Sequence, residues 1–101
     1  MILFQTKIKE NVREYMVNFS KVKTRNQIGY RIFIKELSTT NDRSKEITLQ
    51  YESKEGGYKF LLKNIQLFDN SIPVPKEARN IMVINKLTQK VILTVFIEFL
   101  K

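Results

Sequence analysis

Ten carboxylates and eighteen lysine and arginine side chains are the charged groups of this chain at neutral pH, and it contains no histidine and no cysteine. Imidazole and thiolate carry most nucleophile–base pairs, most zinc sites and the pH switches near neutrality, so composition excludes those chemistries. The carboxylates are scattered: Asp42 and Asp69 stand in turn-like stretches, and Glu52 and Glu55 precede a Gly-Gly pair. No two of them form a recognised acid–base or metal motif. Gly29, Gly56 and Gly57 make neither a phosphate-binding loop nor a dinucleotide fingerprint. A nucleophilic lysine needs a desolvated pocket, and nothing marks one. The expectation is a non-enzyme that uses no cofactor and no metal.

Basic residues interleaved with apolar ones point instead to binding. The net charge is +8 and the pI about 9.8, a surplus that favours phosphate backbones, anionic lipid or acidic protein without choosing among them. Residues 15–35 contain no acid, and Lys21, Lys23, Arg25, Arg31 and Lys35 all fall there. In an extended chain Arg31, Phe33 and Lys35 share one face, and Lys59 and Lys63 share another. Basic grooves with aromatic platforms hold single-stranded nucleic acid, with Tyr30 or Phe33 as stacking candidates and Arg25 and Arg31 on phosphates. Against this, lysines on outward strand faces are ordinary solvation and edge protection. Parity also puts Tyr30 with the core. The ordinary reading is favoured.

The elements that carry these residues read as strands. Ala78 is the single alanine, against 26 isoleucine, valine and threonine residues whose branched side chains suit a pleated surface. Ile2, Phe4, Thr6 and Ile8 alternate with other residues, as do Ile28, Tyr30, Ile32 and Ile34, then Ile47, Leu49 and Tyr51. Residues 12–23 fit a helical stripe (Val12, Tyr15, Met16, Phe19) or a strand (Tyr15, Val17, Phe19), and the strand is preferred, with a turn at 23–27. Residues 53–57 read as a hairpin loop, and the apolar phase slips near Lys63-Asn64 in the following run. Pro73 and Pro75 fit an edge or loop, 38–45 a loop, and 85–90 a turn. The whole of 1–101 reads as a single all-β domain of about seven or eight short antiparallel strands. A jelly-roll-like β-sandwich is expected, with a five-stranded OB-type barrel as the alternative.

The closing run of the chain is the second pointer to binding. It is apolar or threonine from Val91 to Leu100 except at Glu98, which is too short to span a bilayer as a helix. Read as one strand, it places Val91, Leu93, Val95, Ile97 and Phe99 on one face and Ile92, Thr94, Phe96 and Leu100 on the other. Met82 and Ile84 repeat the doubly apolar pattern one strand earlier. A small domain has few elements to cover both faces, so Ile92, Phe96, Leu100, Met82 and Ile84 are the interface candidates. The opening residues lack the features of a signal peptide, so a soluble, intracellular product is expected.

Two functions emerge as expectations. The first is a structural or interaction protein that assembles with itself or with a larger protein, a role suited to a small component of a virus particle or mobile element. The second is single-stranded nucleic-acid binding through the basic strand face.

Overall fold

Alternation along the sequence becomes pairing across strands. A computed structural model describes residues 2–10, 13–24, 27–37, 47–62 and 71–100. Among them run β1 (Ile2–Glu10), β2 (Arg13–Thr24), β3 (Gln27–Glu36), β4 (Ile47–Ser53), β5 (Tyr58–Leu62), β6 (Ile72–Pro73), β7 (Ala78–Asn85) and β8 (Val91–Phe96). The chain divides into two compact units, Met1–Thr39 with Leu67–Lys76 and Thr40–Gln66 with Glu77–Lys101. Each unit holds one four-stranded antiparallel sheet, so the all-β class and the strand content of a sandwich are as expected. The barrel alternative is not: both sheets end in edge strands and neither closes on itself.

In the first unit the strand order is β1-β2-β3-β6. β2 is central, and its register pairs Tyr15, Val17 and Phe19 with Glu36, Ile34 and Ile32. Directly opposed residues point the same way, so these side chains share one face, which is buried. A helical stripe would have grouped Met16 with them, whereas Met16 lies on the opposite face. Phe4 pairs with Phe19, their rings 6.3 Å apart and tilted. At the end of this face Arg13 meets Glu36 at 3.0 Å, with side chains only 6% and 12% exposed. β6 is a two-residue edge strand, a position that tolerates Pro73. Its continuation donates from Val74 N–H to the Tyr30 carbonyl at 2.8 Å.

In the second unit the order is β5-β4-β7-β8. The β4–β5 hairpin closes through Ser53 N–H to the Gly57 carbonyl at 3.0 Å, with φ at Gly56 and Gly57 of 100° and 86°. Those angles suit glycine, which has no Cβ to clash. The β7–β8 turn is organised by Asn85, whose Oδ1 accepts from the Leu87 and Thr88 N–H groups at 2.9 Å each. Ile47, Leu49, Tyr51, Ile81, Val83 and Val95 fill the buried face. Burying a leucine such as Leu49 completely stabilises by about 1.5–3 kcal/mol. β7 is buried on its other side too, at Met82 and Ile84.

The closing run departs from the expected single strand. β8 stops at Phe96, and Ile97–Leu100 forms a 3-10 turn. The reason lies in its partner. Phe96 pairs with Asn80, but Arg79 is a bulge residue because Glu52 pairs with Asn80 and Ser53 with Ala78. The ladder has no regular continuation beyond Asn80. A second bulge falls at Ile92, since Val83 pairs with Leu93 and Ile84 with Val91. The two-faced strand over 91–100 is therefore corrected: Thr94 and Phe96 share a face, Ile92 is the extra residue, and Leu100 leaves the strand. The expected loop at 38–45 and the phase slip at Lys63-Asn64 lie outside the described residues. A bulge is found at Leu61 instead, between the Leu49–Leu62 and Gln50–Phe60 pairs.

Candidate interaction faces

The sheet of the second unit has one buried face and one that displays rings. Gln50 pairs with Phe60 and Met82, and Glu52 pairs with Tyr58 and Asn80, which in turn faces Phe96. Val91, by the Ile92 bulge, joins this same face opposite Ile84. Tyr58 is 66% exposed, Phe60 51%, Val91 47% and Phe96 42%. Phe99, in the 3-10 turn, is 81% exposed and meets Phe96 edge-on at 6.3 Å between centroids. The turn is held by Leu100, which is buried. The interface candidates therefore separate. Phe96 is on the surface, Ile92 is half-buried at its bulge, and Met82, Ile84 and Leu100 are buried within the chain.

Charges of both signs border Phe96. Asn80 mends the bulge at Arg79, its Oδ1 accepting from Glu52 N–H at 3.1 Å and its Nδ2 donating to Glu52 Oε1 at 3.2 Å. The Arg79 guanidinium lies 4.0 Å from Glu52. An open groove of about 490 Å³ is lined by Lys54, Ala78, Arg79, Phe96, Ile97 and Glu98. On the other face, the Tyr51 hydroxyl donates to Glu77 Oε1 at 3.1 Å, and Lys59 Nζ reaches Glu77 Oε2 at 3.4 Å. Burial, then the hydrogen bond to Glu77 and that carboxylate's charge, push the Tyr51 hydroxyl above its ordinary pKa, and Lys59 partly offsets them.

The sheet of the first unit exposes a basic face. Lys7 pairs with Met16, which pairs with Lys35; Gln5 pairs with Asn18, which pairs with Phe33. Ser20 pairs with Arg31, and Arg31 with Pro73. So Arg31, Phe33 and Lys35 do share one face, with Arg31 and Phe33 half-buried and Lys35 exposed, joined by the exposed Lys7 and Lys9 from β1. Lys21 and Lys23 oppose Tyr30 and Ile28 and project from the other side of the same sheet. Lys59 belongs to the second unit and is ion-paired. Arg25 and Lys63 lie outside the described residues. The sequence alone does not reveal Lys7 and Lys9, which only strand pairing brings beside Lys35, or the exposed rings of Tyr58, Phe60 and Phe99. The phase slip was the available signal for Tyr58 and Phe60.

No protein-family model matches the chain, no curated protein matches its sequence, and no solved structure matches its fold. Among the described residues, no helix is long and apolar enough to cross a membrane.

Proposed function

We propose that this chain is a non-enzymatic interaction protein that assembles through the aromatic face of its second sheet, and that the partner is a second copy of itself. One observation carries the reading: Tyr58, Phe60, Phe96 and Phe99 are exposed on one unit, three of them on a single sheet face. Aromatic anchors dominate binding energy at protein interfaces, and an exposed ring costs little side-chain entropy to order. The mixed rim supports a self-partner. Lys54 and Arg79 stand beside Glu98 around one groove, so a two-fold axis pairs cation with anion. The neighbouring Phe99 supplies a protruding ring for the opposite groove.

A second reading has its own observation. Half-buried Arg31 and Phe33 share a face with the exposed Lys35, Lys7 and Lys9, an arrangement that suits single-stranded nucleic acid. Light scattering on a size-exclusion peak, with absorbance recorded together, tests both. With no tryptophan and four tyrosines the protein absorbs weakly at 280 nm, so bound nucleic acid would dominate the spectrum. A dimer free of nucleic acid is the expected outcome. A monomer at every protein concentration overturns assembly.

A further inference from the structure

The buried face of the first sheet opens to solvent at one end. Along β2 it runs through Tyr15, Val17 and Phe19, all buried, to the half-buried Lys21 and the exposed Lys23. Along β3 it runs through Ile34 and Ile32, also buried, to the half-buried Tyr30 and to Ile28, which is 50% exposed. Lys21 pairs with Tyr30 and Lys23 with Ile28, so all four side chains project from one side of the sheet. Val74 continues the β6 pairing opposite Tyr30, donating its N–H to the Tyr30 carbonyl, and widens the apolar floor. β2 turns to lysine where the face meets water, which solvation explains. β3 keeps a ring and an isoleucine there, which solvation does not explain. Among the described residues neither lysine has an ion-pair partner, and residues 15–35 contain no acid to supply one.

We propose that this open end binds single-stranded nucleic acid, with one base against Tyr30 and Ile28 and neighbouring phosphates on Lys21 and Lys23. Two residues of strand set the lysines about 6.7 Å apart, which suits successive phosphates of an extended backbone rather than two oxygens of one. A lysine grips phosphate as a point charge, and every base offers a face to a ring, so the site is indifferent to sequence. A duplex keeps its bases stacked and shows only their edges, which leaves Tyr30 nothing to stack against. The ligand is that of the second reading above, on which the proposal rests. The site, however, lies on the opposite side of the sheet from Arg31, Phe33 and Lys35.

The test is fluorescence anisotropy of a labelled oligothymidylate with the full chain across a salt series. Wild type binds at low salt, and its affinity falls as salt rises. Tyr30→Leu keeps an apolar side chain but removes the ring, and weakens binding about fivefold or more, whereas Tyr30→Phe stays near wild type. Lys21→Gln and Lys23→Gln each lower the affinity and reduce the salt slope by about 0.7. Lys7→Gln and Lys35→Gln, on the opposite side of the sheet, cost less than either. Losses at Lys7 and Lys35 that equal or exceed those at Lys21 and Lys23 overturn this site and leave the opposite face as the binding surface. Tyr30→Leu binding as tightly as wild type overturns it too. Capture by phosphatidylserine vesicles with no binding of the oligomer makes the face a membrane surface, against the proposal. No oligomer binding at low salt overturns the second reading along with the site.

Discussion

The exposed face of the first sheet carries lysine and arginine, and that of the second carries aromatic rings. Basic content does not explain the contrast. Each unit contains nine lysine and arginine residues, against four acids in the first and six in the second. Regularity of pairing separates them. Among the described residues the first sheet has one bulge, at Leu3, whereas the second has three, at Leu61, Arg79 and Ile92. Regular alternation leaves polar residues outside. Each bulge reverses the phase of the residues beyond it, and the reversals at Leu61 and Ile92 let apolar residues share the exposed side. Bulges recur where proteins re-aim side chains, which is consistent with assembly through the second sheet.

The largest expected effect separates how the two sheets hold charge. Arg13 and Glu36 form a buried pair, whereas Lys59 and Glu77 form an exposed one. Glu36→Ala takes a carboxylate away from the buried Arg13 guanidinium and should cost about 3 kcal/mol in urea unfolding. Lys59→Ala should fall within about 1 kcal/mol of wild type. Similar costs for the two variants would remove this part of the contrast.

Next comes the aromatic face. Phe96→Glu should weaken association by about 2 kcal/mol or more, roughly thirtyfold, without lowering the monomer's melting temperature. Lys59→Glu, on the opposite face of the same sheet, should leave association near wild type. If light scattering finds both variants assembling normally, the interface lies elsewhere.

How far the sequence carried the fold divides along the same line. In the first unit the alternations through Tyr15, Val17 and Phe19 and through Ile32 and Ile34 map directly onto buried faces. The hairpin at Gly56-Gly57 and the turn after Asn85 were equally legible, because positive φ and side-chain capping are local demands. The end of β8 was not legible. Ile97 and Phe99 have strand-forming side chains, but whether a strand continues depends on its neighbour, and the bulge at Arg79 removes the regular partner. Ile92 was assigned to a face by counting twos, which fails once a cross-strand pair slips by one. The same limit governs the site. The parity of Phe96 alone sets it on the face opposite Val95, whereas Lys7 joins Lys35 only through the register of β1, β2 and β3.

Salt then distinguishes the two faces by sign. Two copies that each carry +8 repel one another, and added salt screens that repulsion, with a Debye length of about 10 Å at 0.1 M. Association through aromatic rings should therefore strengthen modestly from low to moderate salt. Binding of an oligonucleotide to the basic face should weaken over the same range, as counterions compete for the phosphates. Sedimentation and anisotropy titrations across one salt series read both trends. Association that weakens steeply with salt would mean that charge, not the rings, holds the copies together.

The smallest effect probes the buried face of the second sheet at Tyr51, whose hydroxyl donates to Glu77. Burial and that acceptor raise its pKa in the folded chain. A phenol with a raised folded pKa adds stability while the pH is below its unfolded value, near 10, and that addition is lost as the pH rises through the folded value. Ionisation would place a phenolate against a carboxylate, removing the donor and adding repulsion. Wild type should therefore exceed Tyr51→Phe in stability at neutral pH, with the gap narrowing above about pH 10. Thermal melts of the two proteins from pH 8 upward measure it. A gap that stays constant across that range would mean that the Tyr51 hydroxyl titrates alike in the folded and unfolded chains, and no gap at any pH would mean that Tyr51 contributes only its ring.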